Sequence, residues 1–119
     1  MRLAIVEDDD DVRRALARLL RALGHEVCGF ASAEAYEAGT PDVDCAIVDV
    51  SLAGVSGFDL RERLRGRTPP TPVVMMTGDG DWLARNRFRE GDIPLVSKPF
   101  EPATLETAIA AALATRVSR

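Results

Sequence analysis

Short apolar runs along this chain alternate with longer stretches in which apolar residues recur at helical spacing. The run at positions 46–48 is apolar throughout and then ends at a carboxylate, Asp49, before a loop of small residues. Uninterrupted apolar runs of this length are typical of strands that are buried on both faces of a sheet. The predicted strands cover residues 3–6, 26–30, 46–50, 73–76 and 94–97.

The helical stretches lie between these runs. The clearest one follows the acidic residues at 7–11, because Leu16, Leu20 and Leu23 share one face, arginines occupy the other, and Gly24 ends it. Further helices are predicted at 32–36, 57–65 and 81–90, and a last one begins at Pro102. This alternation predicts an α/β fold in which a βα unit repeats five times, giving a doubly wound parallel sheet covered on both faces.

Composition narrows the class of protein. The 119 residues, 46% of them hydrophobic and 29% charged, predict one globular domain that spans residues 1–119. The net charge of −4 argues against direct binding of nucleic acid, which needs a basic surface. The N-terminal sequence has neither a signal-peptide pattern nor a membrane span, so we expect a cytoplasmic protein without membrane association.

Polar side chains stand at the ends of four of the predicted strands. Glu7 and Asp8 follow the first strand, Asp49 ends the third, Thr77 follows the fourth and Lys98 follows the fifth. Because the carboxyl ends of parallel strands meet at one edge of the sheet, we expect these five residues to gather there. Each alone would be ordinary, as a helix-start acid, a turn residue or a surface charge, and only their joint position predicts a site.

The predicted carboxylate group needs a cation. Two like charges about 4 Å apart repel by about 4 kcal/mol at an effective dielectric constant of 20. With oxygen ligands alone and neither histidine nor cysteine nearby, the favoured ion is Mg²⁺. Lys98 is the only lysine beside fourteen arginines, and its compact ammonium suits a small pocket that receives a phosphate.

Four segments in this order resemble the receiver domains of two-component response regulators: IVEDD, IVDVSLAGVSG, VVMMTGD and LVSKPF. The resemblance covers essentially the whole chain. It implies the flavodoxin-like fold of the CheY-like superfamily, a parallel five-stranded sheet in the order 2-1-3-4-5.

The resemblance also implies a function and a set of site residues. A histidine kinase or phosphotransfer protein would phosphorylate Asp49, and Glu7, Asp8, Asp49 and the backbone carbonyl of Ser51 would bind Mg²⁺. Thr77 would be the switch hydroxyl and Lys98 the cation that contacts the phosphoryl group. Phosphorylation would reshape the face formed by the fourth helix, fifth strand and fifth helix, which a downstream partner, an output domain or a second copy of the chain would read.

The sequence departs from the family pattern at two positions. Ala53 replaces a proline that is usual shortly after the phosphoacceptor, and Leu95 stands at the position of an aromatic switch residue. The first change removes a local backbone restraint. The second puts the usual coupling of threonine movement to a rotating ring in question.

Three other functions fit parts of the pattern. A Mg²⁺-dependent phosphatase with an aspartyl intermediate usually has a second acid two residues after the nucleophile, where this chain has Ser51. A flavin-binding protein would need a phosphate-binding loop that the sequence lacks, and a degenerate receiver acting without phosphorylation is favoured only by Leu95. His25, the only histidine, is predicted at the surface before the second strand, which argues against a Ser/His/Asp hydrolase.

Overall fold

A parallel sheet forms the centre of the molecule. The computed structural model describes residues 1–39, 41–52, 54–67, 69–78, 95–98 and 101–117. Within these residues the strands lie in the order β2-β1-β3-β4-β5, and every adjacent pair is parallel. The strands are β1 (Arg2–Val6), β2 (Glu26–Phe30), β3 (Cys45–Asp49), β4 (Val73–Thr77) and β5 (Leu95–Ser97). The fold class and the strand order predicted from the sequence are therefore confirmed.

Helices follow the strands along the chain. They are α1 (Asp10–Ala22), α2 (Ala33–Gly39), α3 (Gly57–Arg65) and the C-terminal helix (Pro102–Val117). The helix predicted at 81–90 lies outside the described residues. Observed and predicted bounds differ by one to three residues at several ends, as expected where helix and strand termini fray.

The sheet separates two hydrophobic layers because successive side chains of a strand point to opposite faces. In β1, Ile5 faces the layer formed by α1 and the C-terminal helix, and Val6 faces the layer formed by α2 and α3. Strands β1, β3 and β4 are apolar nearly throughout because both of their faces are covered. This burial holds the ends of these strands in fixed positions.

The sequence dictates both ends of α1. The carboxylate of Asp9 accepts hydrogen bonds from the backbone N–H groups of Asp11 and Val12, at 2.9 and 3.1 Å, and so caps the first turn. Gly24 ends the helix with φ +97°, a left-handed conformation that glycine adopts without strain. The acidic segment at 7–11 therefore divides into residues that begin the helix and residues that precede it.

The side chain of His25 is 10% exposed and its Nε2 lies 2.9 Å from Oε1 of Glu106 on the C-terminal helix, so His25 is more buried than its predicted surface position implies. The turn that carries His25 is packed against that helix instead. Among the described residues, no helix has the length and hydropathy required to cross a bilayer.

Candidate functional site

Parallel pairing brings the predicted site residues to one edge of the sheet. Glu7 directly follows β1, Asp49 ends β3, Thr77 ends β4 and Lys98 follows β5. The register pairs Asp49 with Met76 on the neighbouring strand, one residue before Thr77. These residues reach the same edge because their strands are neighbours and end at the same level.

The ammonium of Lys98 connects two of the carboxylates. Its Nζ lies 2.6 Å from Oε1 of Glu7 and 3.2 Å from Oδ2 of Asp49. The side chains of Glu7 and Asp49 are 1% and 6% exposed, and that of Lys98 is 22% exposed. A single cation thus bonds to two buried acids that come from separate strands.

Three carboxylates at this edge form a group that fits a divalent cation. Glu7, Asp8 and Asp49 each offer one oxygen, and these oxygens all lie within 4.8 Å of one another. Glu7 and Asp49 are buried, whereas Asp8 is exposed. An all-oxygen group with one solvent-facing member suits Mg²⁺, which keeps part of its water shell when it binds to proteins.

Burial and crowding change the protonation of the site. Burial, together with hydrogen bonding to Asp49, raises the pKa of Glu7 from 4.5 to about 7, although its bond to Lys98 acts in the opposite direction. Partial burial of Lys98 disfavours its charge, but its bond to Glu7 and its interactions with Asp49 outweigh this and raise its pKa. The ammonium is therefore charged at neutral pH, and the Glu7 carboxyl holds its proton to a higher pH than an exposed glutamate does.

The start of α1 fixes the backbone and side chain of Glu7. Nη1 of Arg13 donates to the carbonyl oxygen of Glu7 at 2.8 Å, and the N–H of Asp9 donates to Oε2 of Glu7 at 3.2 Å. Arg13 also pairs with Asp10. The sequence pattern places Arg13 only on the face of the helix opposite the leucines and does not predict its contact with the site. The signal for this contact is its position one turn after the capping residue Asp9.

Asp49 is held from two sides. The N–H of Ser51 donates to Oδ1 of Asp49 at 2.8 Å, and the N–H of Val50 donates to the carbonyl oxygen of Met76 at 3.0 Å. Gly57 begins α3 directly against this strand end, since a Cβ atom there would lie 2.1 Å from the carbonyl oxygen of Asp49. The carboxylate therefore stands on a backbone with little freedom to move.

The remaining predicted residues lie at this edge, but their roles stay predictions. Thr77 is 1% exposed, and its carbonyl oxygen accepts a 2.8 Å hydrogen bond from the N–H of Lys98. The Ser51 backbone is adjacent to Asp49, and its carbonyl as a metal ligand is still an expectation. Ala53 lies outside the described residues, as does the side chain of Leu95.

Known proteins are similar to this chain in sequence and in fold. The sequence profile of the response regulator receiver domain matches residues 3–110. The transcriptional regulatory protein FixJ of Azorhizobium caulinodans is 38% identical over 112 residues, which cover 92% of this chain and 53% of FixJ. This chain therefore spans about half the length of that relative.

Solved structures give the same result. The response regulator StyR superposes with a TM-score of 0.80 at 30% identity, covering 99% of this chain and 61% of StyR. The response regulator TrrA of Thermotoga maritima, solved in complex with Mg²⁺ and BeF, has a TM-score of 0.79 at 20% identity and covers 94% of this chain and 98% of TrrA, which shows the fold alone. Sequence and fold together place this chain in the family of response regulator receiver domains, the phosphoacceptor modules of two-component signalling.

Proposed function

We propose that Asp49 is the phosphoacceptor of this receiver domain and that Glu7, Asp8 and Asp49, with the backbone carbonyl of Ser51, bind Mg²⁺. The observation that carries the proposal is the position of Lys98, whose Nζ contacts both Glu7 and Asp49 within a group of three carboxylates. In this proposal Asp49 is a fixed nucleophile, the three carboxylates bind a cation, and Lys98 adds a positive charge to that of the bound ion. Phosphoryl transfer requires these three components.

The residues divide the chemical work between them. One carboxylate oxygen of Asp49 forms a bond to phosphorus while the bond between phosphorus and the donor breaks, so that the donor leaves and an aspartyl phosphate forms. Lys98 stabilises negative charge on the phosphoryl oxygens, and Thr77 would donate its hydroxyl to the same group. A bound Mg²⁺ would supply further neutralisation of that charge. The N–H of Ser51 holds Oδ1 of Asp49 and so orients the carboxylate.

Receiver domains of response regulators interact with histidine kinases and with output domains. For this chain we propose a cytoplasmic histidine kinase or phosphotransfer protein as the phosphoryl donor. A downstream protein, an output domain or a second copy of the chain would read the face that includes β5 and the C-terminal helix. The length of FixJ supports an output domain in a longer protein, because the match covers only 53% of FixJ.

Phosphorylation by a small donor tests the proposal directly. Incubation with acetyl phosphate and Mg²⁺ should add one phosphoryl group to the wild-type protein, measured by intact mass spectrometry under conditions that preserve acyl phosphates. Asp49→Asn should remain unmodified because an amide is not a nucleophile towards phosphorus. Asp11→Asn, the same change at an exposed acid in the first turn of α1, should be modified like the wild type.

Beryllofluoride, the group bound to TrrA, offers a second measurement. With Mg²⁺ it should change the fluorescence of Trp82, the only tryptophan, in the wild type and leave Asp49→Asn unchanged. Equal mass spectra for wild type and Asp49→Asn would refute the assignment of Asp49 and favour a receiver that works without phosphorylation.

A further inference from the structure

The loop between β3 and α3 carries Ser51 and connects the predicted phosphoacceptor to α3. Its first end is fixed by the bond between the Ser51 N–H and Asp49. Its far end is fixed by a different part of the chain, because the N–H of Val55 donates to Oε2 of Glu34 at 3.2 Å. Glu34 lies 21 residues earlier, in the first turn of α2.

Gly54 fits closely against the same carboxylate. It has φ +75°, a left-handed conformation that favours glycine, and a Cβ atom at this position would lie 2.7 Å from Oε2 of Glu34. The carboxylate therefore binds the N–H of Val55 and occupies the space that a side chain at position 54 would need. This arrangement restrains a segment whose glycine would otherwise give the backbone wide conformational freedom.

The hydrogen bond from Val55 favours the ionised form of Glu34. Its pKa is lowered by hydrogen bonds from backbone N–H groups, its own and that of Val55. The side chain is exposed, so it makes no contribution to the core. Its side-chain hydrogen bond is directed at the loop, and the nearby charge of Arg63 on α3 acts in the same direction on its pKa.

We propose that Glu34 is a positioning residue for the Mg²⁺ site and acts through the loop between β3 and α3. By holding Val55 and Gly54, it limits the motion of the loop and so keeps the Ser51 carbonyl in place for the metal. This inference rests on the proposed function, in which that carbonyl is a ligand. Groups that hold ligands in position without touching the metal commonly affect metal affinity.

The chain offers a matched control on the same helix. Glu37, one turn after Glu34, pairs with Arg63 on α3 and contacts no loop residue among the described contacts. Both glutamates join α2 to the segment after β3, but only Glu34 binds the loop itself. Glu37→Ala thus removes a carboxylate contact of α2 without removing the restraint on Val55.

Metal-free protein gives the first measurement. Hydrogen exchange by NMR should show the Val55 amide exchanging about tenfold faster in Glu34→Ala, because the amide loses its acceptor. Glu34→Gln should restore most of the protection, since the glutamine side-chain oxygen can accept the same bond. Glu37→Ala should leave the Val55 amide as in the wild type.

Titration calorimetry with Mg²⁺ gives the second measurement. We expect Glu34→Ala to bind Mg²⁺ about three- to tenfold more weakly, with Glu34→Gln closer to wild type and Glu37→Ala unchanged. A role limited to stabilising the start of α2 would lower the melting temperature of Glu34→Ala and leave its Mg²⁺ affinity unchanged. That result, or equal weakening by Glu37→Ala, would overturn the inference.

Asp49→Asn separates this inference from the proposed function. If Asp49→Asn loses phosphorylation and Glu34→Ala binds Mg²⁺ like the wild type, only the role of Glu34 fails. If Asp49→Asn is phosphorylated like the wild type, the proposed function fails first. The exchange rate of Val55 reports on the restraint in either case, because it is measured without metal.

Discussion

Charged side chains are exposed at one edge of the sheet and mostly buried at the other. At the edge where the strands begin, Arg2 pairs with Asp42 at 3.7 Å, and these side chains are 60% and 98% exposed. At the edge where the strands end, Glu7 and Asp49 are buried beside Asp8 and Lys98. The ion pair at the first edge is exposed to water, whereas most of the negative charge at the second edge is buried.

This difference in exposure changes what the charges at each edge contribute to stability. Exposed ion pairs contribute about 0–1 kcal/mol because water and salt screen them. Buried acids of like charge repel one another and lose their hydration, which one ammonium offsets only in part. The buried acids at the edge where the strands end therefore lower the stability of the metal-free fold. Their excess of negative charge is the property that would attract a divalent cation.

Removal of the ammonium should give the largest effect. Lys98→Met would leave Glu7 and Asp49 without their shared cation, and we expect it to lower the free energy of unfolding by about 2–3 kcal/mol at pH 8 without metal. Urea unfolding in the presence of a chelator measures this. Added Mg²⁺ or a lower pH should restore part of the loss, because each neutralises the carboxylates.

An unchanged urea midpoint for Lys98→Met at pH 8 would contradict the view that Glu7 and Asp49 repel each other and depend on the ammonium of Lys98. A general effect of losing a surface lysine cannot produce the expected recovery with Mg²⁺. The recovery thus distinguishes loss of the shared cation from loss of side-chain packing.

The pH dependence of stability should give the next largest effect. The pKa of Glu7 is about 7 in the folded protein and 4.5 in its ordinary state, so the folded protein binds the extra proton between these values. The resulting stabilisation is complete below about pH 4.5 and is lost as the pH rises through about 7, a change of about 2–3 kcal/mol between pH 5 and pH 8. Unfolding of metal-free protein between pH 5 and 8 measures it.

Two variants sharpen this measurement. Glu7→Gln should remove the slope, whereas Glu26→Gln, the same change at an exposed glutamate of β2, should keep it. Because Mg²⁺ and a proton compete for Glu7, Mg²⁺ affinity should rise with pH and level off above about 7. A Mg²⁺ affinity that is independent of pH would exclude Glu7 from the binding group.

Loss of the exposed ion pair at the edge where the strands begin should give the smallest effect. Arg2→Ala removes an ion pair between exposed side chains, and we expect a loss of less than about 0.5 kcal/mol and an unchanged Mg²⁺ affinity. Urea unfolding and calorimetry measure the two quantities. A loss as large as that of Lys98→Met would show that exposure does not distinguish the two edges.

The convergence of Glu7, Asp49 and Lys98 could be predicted because it depends only on strand ends in a parallel sheet. Apolar runs predict the strands, and the rule for parallel sheets places their carboxyl ends together. The strand order came from the resemblance to a known family, since periodicity alone does not order strands. The structure confirms both the order and the meeting of these residues.

Other contacts could not be predicted from the sequence because they depend on how separate helices, strands and loops pack together. The sequence pattern places Arg13 only on the face of α1 opposite the leucines, yet Arg13 reaches the Glu7 carbonyl because α1 packs beside the end of β1. His25 packs against Glu106, which is 81 residues away. The bond from Val55 to Glu34 likewise forms only once α2 and the loop after β3 are side by side.

Gly57 has a consequence for how this protein tolerates sequence change. It brings no reactive group, yet any side chain there would collide with the Asp49 carbonyl oxygen at the end of β3. In a library of random variants scored for signalling, substitutions at this position should therefore be depleted as strongly as those at chemically active residues. Glycine at position 57 would then be retained together with Asp49, because the start of α3 leaves no room for a side chain beside the end of β3.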